Sequence, residues 1–197
     1  MAKYFRCDTT KVKATNRGGR LHSAVYNKEL FNGTLGYLGD YIGGSTEIMS
    51  FLAPTTELIK AKLPVIVMKP EINYKESKRL LGDWVNPANK SFPVIPLEEL
   101  DGIDLSADYF DLTGKAGQNV QIEVGDKFVI QANDTVGTQL KYSATIPVLA
   151  QNFCYFRVIG VKESHIANFI YTDGTTDSIM FPKPYKMVEL ELVRLIA

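Results

Sequence analysis

Residues 186–196 read KMVELELVRLI. Val188, Leu190 and Leu192 fall on one side of an extended chain and Glu189 and Glu191 on the other, the period-two alternation of a strand with one buried face. Similar segments recur upstream: 169–172, 153–161 (FCYFRVIGV), 140–144, 128–131 and 120–124, with a Gly125-Asp126 turn between the last two. Turns punctuate them at short, regular intervals, which is the pattern of a small barrel or sandwich. Residues 115–117 (KAG) precede the set and read as a linker.

The first half repeats the pattern less regularly. Asn32-Gly33 predicts a type I′ hairpin, whose two central positions both need positive φ. Thr34, Leu35, Tyr37 and Leu38 follow as a strand broken by Gly36 and Gly39, and Gly43-Gly44 makes another turn. Residues 45–61 fit a single helical turn or a covered loop, because Pro54 interrupts the helical spacing of Ile48, Phe51 and Leu52. Residues 63–68 (LPVIVM) form a short apolar run bounded by turn residues, as a buried strand does. Residues 92–96 (FPVIP) are extended, since each proline pushes its predecessor to β or polyproline geometry. The expected fold is therefore mainly β: two small barrel- or sandwich-like modules, 21–114 and 115–197, behind an extended basic arm, 1–20.

That arm carries Lys3, Arg6, Lys11, Lys13, Arg17 and Arg20 against one acid, Asp8, and ends on Gly18-Gly19. With few large apolar residues it is either a solvated tail or a strap across an acidic neighbour, so these six bases are the candidate partner-binding residues. A nucleic-acid arm is disfavoured, because no aromatic interleaving or matching basic patch follows. The opposite charge lies at 98–111, where Glu98, Glu99, Asp101, Asp104, Asp108 and Asp111 meet no Lys or Arg. This stretch reads as a solvated loop or an interaction face. Its spacing does not wrap a calcium ion, and Asp104 and Asp108 are the pair a hydrolase would need.

The whole chain of 197 residues is 45% hydrophobic and carries 22 basic and 22 acidic residues, so no net charge draws it to nucleic acid or an anionic membrane. No apolar run approaches the roughly 18 residues of a membrane span. The N-terminal residues lack the apolar core of a secretory leader, so none is expected. Cys7 and Cys154 fit no metal spacing; two reduced thiols are expected, with a Cys7–Cys154 disulfide as the alternative. Walker, dinucleotide-binding and nucleophile-elbow patterns are absent from the sequence. His22 and His165 sit in no zinc motif, and Ser164 beside His165 points to the opposite face of a strand. The expectation is a non-enzymatic protein with no catalytic residue, no metal and no cofactor.

The order of motifs nevertheless resembles a family. NGTLGYLGDYIGGSTEIMSFLAP, then LPVIVMKPEINY, DWVNPANK, DGIDLS, and VGDKFVIQAN followed by GTQL together resemble the head decoration (cement) proteins of tailed bacteriophages. The shared elements are a hairpin NGxLxxLG at 32–39, PExxY at 70–74, W-x-N at 84–86 and VGDxxV at 124–129, within residues 20–140. Residues 145–197 match only as a generic β-module, and FPVIPLEEL stands where the family often has an arginine-containing stretch. The resemblance implies a protein without catalytic residues, made in the host cytoplasm and carried on the virion head. Its partners would be the major capsid protein and neighbouring copies of itself, as a dimer or trimer, with no direct contact to nucleic acid or membrane. Removing residues 2–18 is then expected to weaken attachment and leave the fold intact. Two alternatives remain: another phage structural protein of the tail or adaptor, and a carbohydrate-binding β-module using Trp84.

Overall fold

A computed structural model describes residues 7, 21–69, 85–117, 120–132, 139–166, 170–171, 179–180 and 183–195, with side chains not described for 164–185. Five strands close a barrel in the order β1-β3-β2-β4-β5: β1 (His22–Val25), β2 (Leu35–Tyr41), β3 (Ile48–Leu52), β4 (Val65–Val67) and β5 (Ser91–Pro96). The β1–β3 pair is parallel and every other neighbour in the barrel is antiparallel. A short helix, α1 (Thr56–Ala61), follows β3, with Thr55 as its cap accepting from the Leu58 N–H.

The second sheet has six strands in the order β6-β13-β10-β8-β9-β7 and curls into a half-barrel. They are β6 (Gly102–Ser106), β7 (Phe110–Asp111), β8 (Lys127–Ile130), β9 (Leu140–Ser143), β10 (Cys154–Ile166) and β13 (Lys183–Arg194). β11 (Ile170–Tyr171) and β12 (Ile179–Met180) pair as a separate hairpin. The fold is thus mainly β with two barrel-like modules, as the turn spacing predicts. The sheet's first strand is β6, however, so its residues begin well before the 115–117 segment read as the linker.

Alternation explains why the two modules pack. On β4 and β5, Val65, Val67, Phe92 and Val94 line the barrel interior with Ala24, Leu30 and Phe51. Phe51 stands edge-on to both Tyr26 and Phe92, at centroid distances of 5.6 Å. Ile66 and Ile95 point the other way and join a second core with Ile103, Leu105, Phe128, Phe156, Leu190 and Leu192 of the sheet. A strand buried on both faces reads as a continuous apolar run, which is why LPVIVM shows no alternation. In β13, Val188, Leu190 and Leu192 are fully buried. Glu191 and Glu189 face outward and accept from Arg157 and Lys162 at 2.5 and 2.6 Å.

Several local expectations change. Residues 45–61 divide at Pro54 into β3 and α1. Gly36 and Gly39 do not break β2; a Cβ at Gly36 would collide with the Phe51 ring, so this glycine lets β3 lie close. Residues 120–124 form no strand; Lys115 holds them instead, donating to the Gln121 carbonyl at 2.7 Å and to Glu123 and Asp126 at 3.1 and 2.5 Å. Asn32-Gly33 is not a type I′ hairpin. Only Gly33 has positive φ, +86°, and the Thr34 N–H donates to the Phe31 carbonyl, which is a type II turn. It leads into β2 without joining paired strands, because Leu30 bridges Asn86.

Candidate interaction surfaces

Lys3, Arg6, Lys11, Lys13, Arg17 and Arg20 lie outside the described residues, as do Pro70 to Tyr74 and Trp84. Cys7 is described, and it changes the reading of the arm. It forms an antiparallel bridge with Leu105 of β6 and is buried in the larger core beside Leu105 and Tyr109. Its seat is built by the 31–34 turn. Asn32 accepts from the Lys69 N–H at 2.9 Å and donates back to the Lys69 carbonyl at 2.7 Å, while the Tyr109 hydroxyl donates to the Asn32 carbonyl. Gly33 completes it: an added Cβ would lie 2.8 Å from Cys7 Cβ and 2.7 Å from Leu105 Cδ2. Removing residues 2–18 therefore also removes a core side chain and is expected to lower stability as well as attachment, which a thermal melt of the truncated protein will show.

Leu105 lies in the middle of the acidic stretch, which is not a solvated loop. Asp101 and Asp104 are 0% and 3% exposed, and β6 runs through it. Hydrogen bonds hold Asp101 in place: its carboxylate accepts from the Glu98 N–H at 2.7 Å, and its carbonyl accepts from the Leu192 N–H at 3.0 Å. Asp111 accepts from Thr113 and Gln131, and these hydrogen bonds hold its carboxyl below the usual carboxylate range, the Thr113 bonds first. Sequence reasoning sees the acids but misses the strand, because Gly102, Asp104 and Ser106 occupy its outer face and give a polar pattern on a segment buried on both sides. Among the described residues no cluster of His, Cys, Asp and Glu is arranged to hold a metal.

Among the described residues several apolar side chains stand exposed. Tyr41 and Ile42 project at the β2–β3 turn, Val124 and Ile159 lie at the entry to β8 and on β10, and Ile146 and Val148 sit between β9 and β10. An open recess of about 340 Å³ lies between Tyr26, Lys28, Phe51, Leu52, Thr55 and Leu58. It is wide enough to receive a partner's side chain.

Cys154, Tyr37 and Lys115 are titratable groups set into the fold. Both cysteines are buried thiols outside any disulfide. Burial pushes the Cys154 thiol up to about 12 and also raises the neighbouring Tyr37 hydroxyl. A thiol reagent at neutral pH is expected to leave Cys154 unlabelled in the native protein and to label it once urea unfolds the chain. For Lys115, burial alone would lower its pKa, but the hydrogen bonds to Asp126 and Glu123 outweigh it and raise it. A raised lysine contributes stability that is present below its ordinary value and lost as pH climbs through the raised one. Lys115→Met should thus cost about 1–2 kcal/mol around neutral pH, with the gap from wild type closing in strong alkali, as parallel urea melts will show. His22 is half-buried on β1, and the side chain of His165 is outside the described set. Compared with family models, curated proteins and solved structures, the chain matches none.

Proposed function

We propose that this chain is a non-catalytic structural protein of the virion, which packs on the outer surface of a tailed-phage head and reinforces contacts between major capsid subunits. Its partners on this reading are the major capsid protein and neighbouring copies of itself. The observation that carries it is where the motifs of the resemblance fall. Asn32 and Gly33 of the NGxLxxLG element form the turn that seats Cys7 against the sheet. Gln139 of the GTQL element donates to the Leu35 carbonyl at 3.0 Å and accepts from the Leu35 N–H at 2.7 Å. These two elements therefore lie where the barrel, the sheet and Cys7 meet. A two-module unit locked at that junction suits a clamp that must transmit load between subunits, and its separated apolar points suit simultaneous contact with several of them.

Cryo-electron microscopy of particles carrying the tagged chain tests this reading. Density over the joints of the head shell is expected; density confined to the tail would assign the chain to another structural role.

A further inference from the structure

The β2–β3 hairpin and the recess beside α1 stand at opposite ends of one strand, β3. The hairpin holds its tip rigid. The Ile42 N–H donates to the Ile48 carbonyl at 2.9 Å and the Ser45 N–H to the Ile42 carbonyl at 3.0 Å, around Gly43 and Gly44, which both have positive φ. The Ser45 hydroxyl accepts from the Glu47 and Ile48 N–H groups at 3.1 Å each. A tight turn with two positive φ values takes glycine, and a Cβ on either glycine would touch nothing. The tip is therefore slender, and Tyr41 and Ile42 stand out from it at 56% and 41% exposure.

The recess lies where β1 and β3 end. Tyr26 follows β1, Phe51 and Leu52 close β3, and Leu58 comes from α1. Its volume of about 340 Å³ is mostly walled by apolar surface. The polar side chains that line it, Asn27, Lys28 and Thr55, are all exposed. A small-molecule site fixes its ligand with precisely placed polar groups, whereas an apolar side chain needs only the walls. Charge points to the same occupant. Residues 40–47 hold Asp40 and Glu47 and no base. The recess lining holds no acid, and Lys62 stands exposed one turn beyond Leu58, its N–H donating to the Leu58 carbonyl. From Ile48 to Leu52, β3 separates tip from recess by about 13 Å at about 3.3 Å per residue. A copy therefore cannot turn its own tip into its own recess.

We propose that the recess receives the hairpin tip of a second copy of this chain, with Tyr41 and Ile42 of one copy against Phe51, Leu52 and Leu58 of the next and the tip acids toward Lys62. Tip and recess are different surfaces, so the contact is heterologous and either closes into a ring or runs on as a row. Of the two oligomers expected above, it fits a trimer and not a two-fold dimer. Two seated side chains hold free chains together weakly, but the same contact becomes strong among copies already held side by side. The neighbouring-copy partner proposed above thereby gains a definite site, and the contact stands without reference to a capsid.

The test uses the purified full chain alone, so its failure is distinct from failure to bind shells. Ile42→Cys and Asn27→Cys chains are mixed in equal amounts at high concentration and oxidised, and the disulfides are identified by peptide mass spectrometry; Cys7 and Cys154 are buried. Random collision makes tip-to-recess disulfides about twice as frequent as either like pair, and docking is expected to make them about tenfold more frequent. Tyr41→Asp in the tip chain, or Leu52→Asp in the recess chain, each at an exposed position, should return the ratio to the random value while the circular dichroism spectrum stays that of wild type. A random ratio in the parent pair, or an excess that survives either aspartate, would overturn the proposal.

Discussion

Gln139→Leu is expected to destabilise the protein by about 3–4 kcal/mol although it hardly changes side-chain volume. Gln139 is 2% exposed, and its amide continues the hydrogen-bond ladder of β2 at Leu35, beyond the end of the β2–β3 pairing. It accepts from the Leu35 N–H at 2.7 Å and donates to the Leu35 carbonyl at 3.0 Å, across 104 residues of sequence. Leucine at 139 leaves both backbone groups buried without partners, and each such loss costs about 1–3 kcal/mol. For a domain of this size the melting temperature should fall by roughly 10 °C, at about 2–4 °C per kcal/mol. Urea melts check the size and also the coupling. Because Leu35, Tyr37 and Ile66 share one core with Leu105, Phe128 and Leu190, the variant should still unfold in one transition with an unchanged slope. Two separated transitions would mean that barrel and sheet are independent.

Gly33→Ala is expected to have an effect of similar size by a different route. The position has φ +86°, where a residue with a side chain costs about 1–2 kcal/mol. The new methyl would also press on Leu105 and Cys7 at 2.7 and 2.8 Å, and overpacking a tight core costs about 1–3 kcal/mol more. The sum, about 3–4 kcal/mol, is to be read by thermal and urea denaturation. Cys7 should also become accessible to thiol reagents, because the most direct relief of the clash is to expel it. A variant with wild-type stability and a protected Cys7 would contradict the description of this seat.

What the sequence makes legible follows from which forces act locally. The alternation in residues 186–196 is visible because one face of β13 is core and the other meets water. β4, β5, β8 and β9 are legible for their β-branched and aromatic residues. β6 is hidden, because its outer face is also buried and carries Asp104 and Ser106. Residues 120–124 look like a strand by composition, yet Lys115 draws their backbone into a loop. Asn32-Gly33 announces a turn, but its type depends on Cys7, Leu105 and Tyr109, which no local rule brings together. Cys7 itself stands between Arg6 and Asp8 in a basic segment, so only the fold reveals it as a core residue.

The most direct test of the central proposal is co-sedimentation of the purified chain with expanded phage head shells that lack their decoration protein, followed by heating. The chain is expected to pellet with the shells at a saturating stoichiometry and to raise the temperature at which they break open. If it stays in the supernatant while the shells pellet, or binds without shifting that temperature, the proposed role as a capsid-stabilising protein is contradicted.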